Sequence, residues 1–215
     1  SSISVVCAFF IGFPIAIFIR RRVRKVAQHR VMLLFILPFM VSEIIRIFAL
    51  RPILSRNGVV NSFLMDMNLI DSPFSIFVFT PTGVVIGEIV SFLPFMIFST
   101  FLALEAIPNY IFEVCADLGV NRRRMFKDIF LPLAAPGLFA GSVFIFVNGI
   151  GIALIPTILG GPGSVNAGLI ATQAIIALDF PLAMAVSAIM MFTLMGLLYL
   201  GHRLFNLTKL LEPIS

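Results

Sequence analysis

Charge is scarce in this 215-residue chain: Asp, Glu, Lys and Arg make up 12% of it, about half the share of a soluble domain. Hydrophobic residues make up 60%, and the mean hydropathy is +1.12. Such a composition cannot fold in water without a large greasy surface, so a polytopic, all-α membrane protein is expected. A net charge of +5 raises the question of nucleic acid. Lys and Arg cluster at the ends of apolar runs, however, as membrane topology demands, and no nucleic-acid partner is expected. Only two cysteines occur, Cys7 inside an apolar run and Cys115 in a polar stretch. They are not expected to meet, and no His or Cys cluster has metal-ligand spacing. No Gly-x-x-x-x-Gly-Lys-Ser/Thr phosphate loop, Gly-x-Ser-x-Gly elbow or His-Glu-x-x-His pair is present, so nothing argues for an enzyme or a bound cofactor. Gly160-Gly161-Pro162-Gly163 has no Lys after it and reads as a flexible outer turn; His29 and His202 read as caps at the inner boundary.

What is present is a series of apolar runs. The first span is expected from Ser2 to Ile19, closed by Arg20-Arg21-Arg22. Those charges follow the apolar run, the reverse of a signal peptide's order. The sequence opens on Ser1 just ahead of a span, so a further span upstream is expected and five is a minimum. Val31 to Leu50 forms the second span, roughly 30 Å long as a helix and kinked at Pro38. Val59 to Ile70 has the pattern of an interfacial helix. Thr82 to Leu104 is the third span, with Gly83 and Gly87 spaced for a tight helix contact. The fourth runs from near Pro132 to about Ile155. A loop from Gly160 to Asp179 carries no Lys or Arg, and the fifth span is Pro181 to Tyr199.

Twelve of the fifteen Lys and Arg then fall on one side, leaving Arg46, Arg51 and Arg56 on the other. The positive-inside rule makes the first side cytoplasmic. Ionisable groups within spans mark functional or bundle-ordering sites. Glu43 and Arg46 share a helix face, and Glu88 lies at similar depth in the third span. Arg46 is expected to pair with Glu43 or Glu88, either to order the bundle or on a translocation path.

The most polar stretch, residues 108–132, lies between the third and fourth spans on the cytoplasmic side. It holds three of the ten acids, Glu113, Asp117 and Asp128, and four bases, Arg122, Arg123, Arg124 and Lys127. Glu113 to Leu118 reads as a short helix ended by Gly119, where a side chain would block a left-handed turn. Asn121 can cap a second short helix, and Pro132 stops it and starts the next span.

At this stretch the chain resembles the permease subunits of binding-protein-dependent ABC importers. Their signature has Glu-Ala-Ala, a Gly six residues after the Glu, and Ile-x-Leu-Pro beginning ten residues after the Gly. Glu113, Gly119, Ile129, Leu131 and Pro132 fall at those intervals, and Ala116, Asp117 and Leu118 fit the Ala-x-Asp-Leu-Gly form. Val114-Cys115 replaces the two alanines. Leu37-Pro38-Phe39, Ser42, Arg46, Asn57-Gly58, Leu93-Pro94-Phe95-Met96, Pro136-Gly137 and Leu159-Gly160-Gly161 look like the spermidine/putrescine-type permeases. Leu50, Ile107-Pro108-Asn109 and Glu88 depart from that pattern.

The resemblance implies the type I importer permease (MetI-like) fold, with a single permease domain over residues 1–215 and a coupling-helix loop at 105–131. It implies a multi-pass protein of the bacterial inner membrane that translocates a small solute, polyamine-like by preference. Ferric iron, an oxyanion, a sugar or an opine-like compound is the alternative. The implied partners are a cytoplasmic ABC ATPase dimer that binds the ATP, a second permease subunit (homologous or identical), and a periplasmic or extracellular substrate-binding protein. Arg122 to Arg124 would flank the ATPase contact or meet anionic lipid. A secondary transporter or a membrane-embedded enzyme is the reading from another class. The first wants coupling-ion acids at mid-membrane and an internal repeat; the second wants a polar triad or metal ligands at one depth.

Overall fold

The computed structural model describes residues 1–74, 77–108, 110–111, 119–121 and 124–205, and among these the regular structure is entirely helical. In chain order the helices are α1 (Ser2–Arg22), α2 (Lys25–Met40), α3 (Glu43–Leu54), α4 (Val59–Asp66) and α5 (Pro81–Glu105). A π-helical stretch, Met125–Phe130, leads into α6 (Leu131–Gly151), followed by α7 (Leu154–Leu159), α8 (Ala167–Ile176) and α9 (Phe180–Phe205). Among the described residues, α1, α5, α6 and α9 are each long and apolar enough to cross a membrane, and the bent pair α2 and α3 makes a fifth candidate.

Lipid tails are as apolar as leucine, so membrane helices associate by close packing rather than by escape from water. The sequence supplies that packing as small residues at helical spacing. On α1 the buried positions Ser4, Ala8, Gly12 and Ala16 recur every fourth residue. On α6, Ala134, Gly137, Gly141 and Gly149 do the same work. Both seams close on α5, whose Ser91, Met96, Ile97, Thr100 and Phe101 are buried between them. The approach is tight: a Cβ at Gly12 would lie 2.9 Å from Met96 Cγ, and one at Gly137 would lie 2.6 Å from Ala103 Cβ. Ser4 meets Glu88 and Arg20 meets Leu104, so α1 and α5 run parallel. Gly149 faces Glu88 while Gly137 faces Ser99, so α6 runs antiparallel to α5. That alternation agrees with the topology expected from charge. Gly83 and Gly87 do mark a close contact, made with α7: a Cβ at Gly87 would sit 2.6 Å from Leu159 Cδ1. The Thr80 side chain caps α5 by accepting from Gly83 N, and Thr80 N donates to Leu159 O.

Four expected boundaries move. The single second span becomes α2 and α3, with a 91° bend between Lys25–Met40 and Glu43–Asp66. Val41 and Ser42 both leave helical ψ, at 134° each. Pro38 has no N–H for the carbonyl one turn back, which weakens the last turn of α2 just before the break. The interfacial helix is shorter than expected, ending at Asp66, with Asn68 at φ 53° reversing the chain. Asn61 is buried and ties this outer segment together, donating to Ser55 O and Phe74 O and accepting from Phe74 N. The fourth span ends at Gly151, not near Ile155, because Ile152 is extended and α7 starts afresh. Finally, the outer loop contains α8. Asn166 caps it, accepting from Leu169 N, and its amide donates to Gly149 O and Ile152 O at the end of α6. Gly168 rests directly on the Gly151 backbone, where no Cβ fits. α9 packs on α8 and α6, yet only 6% of its most apolar window is buried.

Candidate functional site

The polar stretch between α5 and α6 is described in part. Glu113, Ala116, Asp117 and Leu118, together with Val114, Cys115, Arg122 and Arg123, lie outside the described residues. Gly119 has φ +63°, the left-handed conformation expected of a residue that ends a short helix. Among the described residues beyond its chain neighbours, a Cβ placed there would have no neighbouring atom within 4 Å. The Asn121 carbonyl accepts from Met125 N at 2.9 Å, which begins the second helical stretch. That stretch does not stop at Pro132. It runs through the π-helical Met125–Phe130 into α6, with Pro132 in the first turn. Pro132 has no N–H for the carbonyl four residues back, and the backbone there adopts the wider π spacing. Ile129 is half-buried, Leu131 packs on the bundle core, and Pro132 is exposed.

Both roots of this loop are gripped from α1. Arg20 Nε donates to Leu104 O and Arg20 Nη2 to Ile107 O, both at 3.3 Å, so α1 caps the last carbonyls of α5. The Arg21 guanidinium lies 4.5 Å from the centroid of the Phe130 ring, at the return into α6. Gln28 of α2, 3% exposed, donates to the Ile19, Arg20 and Val23 carbonyls that end α1. His29 and Glu105 form an exposed pair at 3.9 Å nearby. Charge pattern alone accounts for these arginines by topology. The signal for a second role is their position: three arginines directly at a helix end, where orphan carbonyls collect.

The intramembrane pair expected between Arg46 and Glu43 or Glu88 is not formed: among the described residues Arg46 makes no ion pair with either carboxylate. Arg46 donates instead to carbonyls: Ser91 O of α5 at 2.9 Å, Pro38 O at 2.5 Å and Val41 O at 3.0 Å. Its guanidinium also sits 5.4 Å from the Phe39 ring. The break between α2 and α3 creates acceptors that a continuous helix would not offer, and they outcompete the carboxylates. Glu88 is 1% exposed, enclosed by α1, α5 and α6, and held by the Ser4 and Ser1 hydroxyls. Glu43 is half-buried at the first turn of α3, and its Oε1 has no hydrogen-bond partner. A cleft of about 380 Å³ between α5, α6 and α9 is lined by Phe95, Phe139, Phe144, Leu194 and Asn148. Asn148 donates one amide N–H to Phe144 O and the rest of the lining named is apolar, so the cleft offers a polar solute little to bind.

Residues 8–210 match the family described as the binding-protein-dependent transport system inner membrane component. The spermidine/putrescine transport system permease protein PotB of Haemophilus influenzae is 30% identical over 210 residues, covering 96% of this chain and 73% of that relative. PotB of Escherichia coli K12 is 33% identical over 201 residues, covering 93% and 72%. Among solved structures, an inward-facing MetNI methionine ABC transporter superposes with a TM-score of 0.68 at 17% identity, covering 95% of this chain and 88% of that one. A bacterial alginate ABC transporter, in complex with its pentasaccharide-bound periplasmic protein, gives 0.69 at 19%, covering 93% and 74%. With five candidate spans, seams of small residues closing on α5 and a polar loop rooted between α5 and α6, the chain belongs to the inner membrane components of binding-protein-dependent transport systems, as a multi-pass permease subunit of an ABC importer.

Proposed function

We propose that this permease moves a polyamine-like cation, and that the loop at 105–131, with Pro132 at its return into α6, is the ATPase-coupling segment. In it Glu113, Ala116, Asp117, Leu118, Gly119, Ile129, Leu131 and Pro132 shape the contact with a cytoplasmic ATPase. The observation that carries the substrate is the likeness to spermidine/putrescine permeases along nearly the whole chain. In this reading ATP binds to the ATPase dimer, and the permease performs no covalent chemistry of its own. A second permease subunit completes the path, and a secreted binding protein delivers solute to the outer segments. Closure of the ATPase dimer moves the loops as rigid bodies, and the bundle exchanges access between its two sides.

The three acids near the outer half then divide by geometry. Glu88 is enclosed and serves as an interior tie. Asp179 is exposed and caps α9 through Leu182 N. Glu43 stands half-buried at the helix break with its buried Oε1 unpartnered, and as the one of the three neither enclosed nor used as a helix cap it is the acid we assign to attract an ammonium group. The test is uptake of labelled spermidine by proteoliposomes holding the full complex. Uptake should require a working ATPase, and Glu43→Gln should lower it about tenfold or more with assembly intact, the scale of one lost hydrogen bond to a charged group, about 1.5–3 kcal/mol. Spermidine uptake that persists with a dead ATPase would remove the importer mechanism. Uptake that is absent in an otherwise active complex would remove the polyamine.

A further inference from the structure

We propose that Arg20 and Arg21 form a clasp that ties both roots of the cytoplasmic loop to α1, so that loop movement is delivered to α1 and α2 as well as to α5 and α6. The inference rests on reading 105–131 as the ATPase-coupling loop. Consecutive helical residues point about 100° apart, so two neighbouring arginines at a helix end can hold two different elements. Here they do. Arg20 takes the Leu104 and Ile107 carbonyls where the chain leaves α5, and Arg21 covers the Phe130 ring where it returns to α6. Phe130 is 1% exposed, so the ring that Arg21 meets is fixed in the core rather than free to follow a moving side chain. Gln28 extends the linkage by holding three carbonyls at the end of α1 from α2.

The loop's two roots belong to helices that are sequence neighbours, and a loop swinging on them alone would bend its own hinges. Fastened to α1, the two roots become one base. Displacement of the loop then turns α1, α5 and α6 together, and it reaches α2, which leads to the α2–α3 break, through Gln28. The same two residues thus have a task that a charge placed for topology does not require. Any lysine satisfies the positive-inside rule, whereas the two-carbonyl grip needs a guanidinium fork and the ring contact favours its flat face.

The test compares Arg20→Lys/Arg21→Lys with Arg24→Lys, which conserves charge at an exposed position outside the clasp. All are measured in the full complex in proteoliposomes, reading solute imported per ATP hydrolysed and the amount of ATPase co-purified. The double variant is expected to keep its ATPase but lose about tenfold in solute per ATP, within the range of typical site-to-site couplings. Arg24→Lys should match the parent. A wild-type ratio in the double variant overturns the clasp. Arg21→Lys alone, which leaves the Arg20 bonds in place, should show a smaller loss. Failure of both variants to assemble would reduce the arginines to scaffolding and overturn it too. Gly119→Val is run alongside: if it uncouples while the double lysine does not, the clasp fails and the loop reading stands. If Gly119→Val has no effect, the loop reading itself fails.

Discussion

Replacing Gly119 with valine should abolish most solute uptake while leaving the helical bundle and its membrane insertion intact. Gly119 sits at φ +63°, with no described residue beyond its chain neighbours within 4 Å of a Cβ placed there. A valine there meets no neighbour among the described residues of the chain, so within the described chain the disturbance is to its own backbone. The left-handed conformation costs a side-chain-bearing residue about 1–2 kcal/mol, and a β-branched one more than that. One to two kcal/mol is about five- to thirtyfold in an equilibrium between docked and undocked loop geometry. Asparagine tolerates this conformation, so the series should run Gly, Asn, Ala, Val in falling order of solute imported per ATP. That ordering separates a backbone requirement from a contact requirement, because a contact surface would penalise Asn, the larger side chain, more than Ala. Equal transport across the series would mean that this turn does not shape the ATPase contact.

The second large effect is expected at Arg46. Arg46→Leu removes three bonds from a charged donor and leaves the Pro38 and Val41 carbonyls without it at the helix break. Hydrogen bonds to a charged group are worth about 1.5–3 kcal/mol each, and the three share one side chain, so a loss of about 3 kcal/mol in stability is expected. Thermal unfolding of the purified complex reads it directly. Arg46→Lys should fall between, since an ammonium is a point charge without the fork that spans acceptors on two segments. A double-mutant cycle with Glu88→Gln distinguishes carbonyl capping from the ion pair that composition suggests. Capping predicts additivity within about 0.5 kcal/mol; a larger coupling would restore the pair.

Why the sequence misleads about one intramembrane arginine, while it places the spans well, comes down to what each signal measures. Hydropathy sums over some twenty residues and needs no partner, so α1, α5, α6 and α9 emerge from it within a few residues of their ends. The Gly83 and Gly87 spacing is also local, and its contact with Leu159 follows. Arg46 differs because two of its three acceptors, Pro38 O and Val41 O, are offered only once the chain breaks at Val41 and Ser42, and the third, Ser91 O, belongs to another helix. Pro38 announces a kink, but a two-residue extended link beyond it has no distinct composition. The same holds for α8: Ala-Gly-Leu-Ile-Ala-Thr-Gln has no charged face to show its period, and Asn166 as a cap is the one available sign. Arg20 and Arg21 are legible as charge and illegible as contacts, since an arginine at a helix end looks alike whether it faces lipid headgroups or the carbonyls of a neighbour. Glu113 through Leu118 carry the family signature in sequence and lie outside the described residues.

The break between α2 and α3 bears on how the protein enters the bilayer during synthesis. Spans leave the ribosome in order, so this segment must be inserted before α5 exists to receive it. A right-angled chain with open carbonyls and a cation would be a poor passenger in hydrocarbon. Two of the three Arg46 bonds, however, go to Pro38 and Val41, within the same segment. The bent pair can therefore cover two of the carbonyls at its break on arrival, from within its own length. The third bond, to Ser91, forms when α5 follows. The side chain that ties the break to α5 in the finished bundle is thus one whose other two bonds need no later helix.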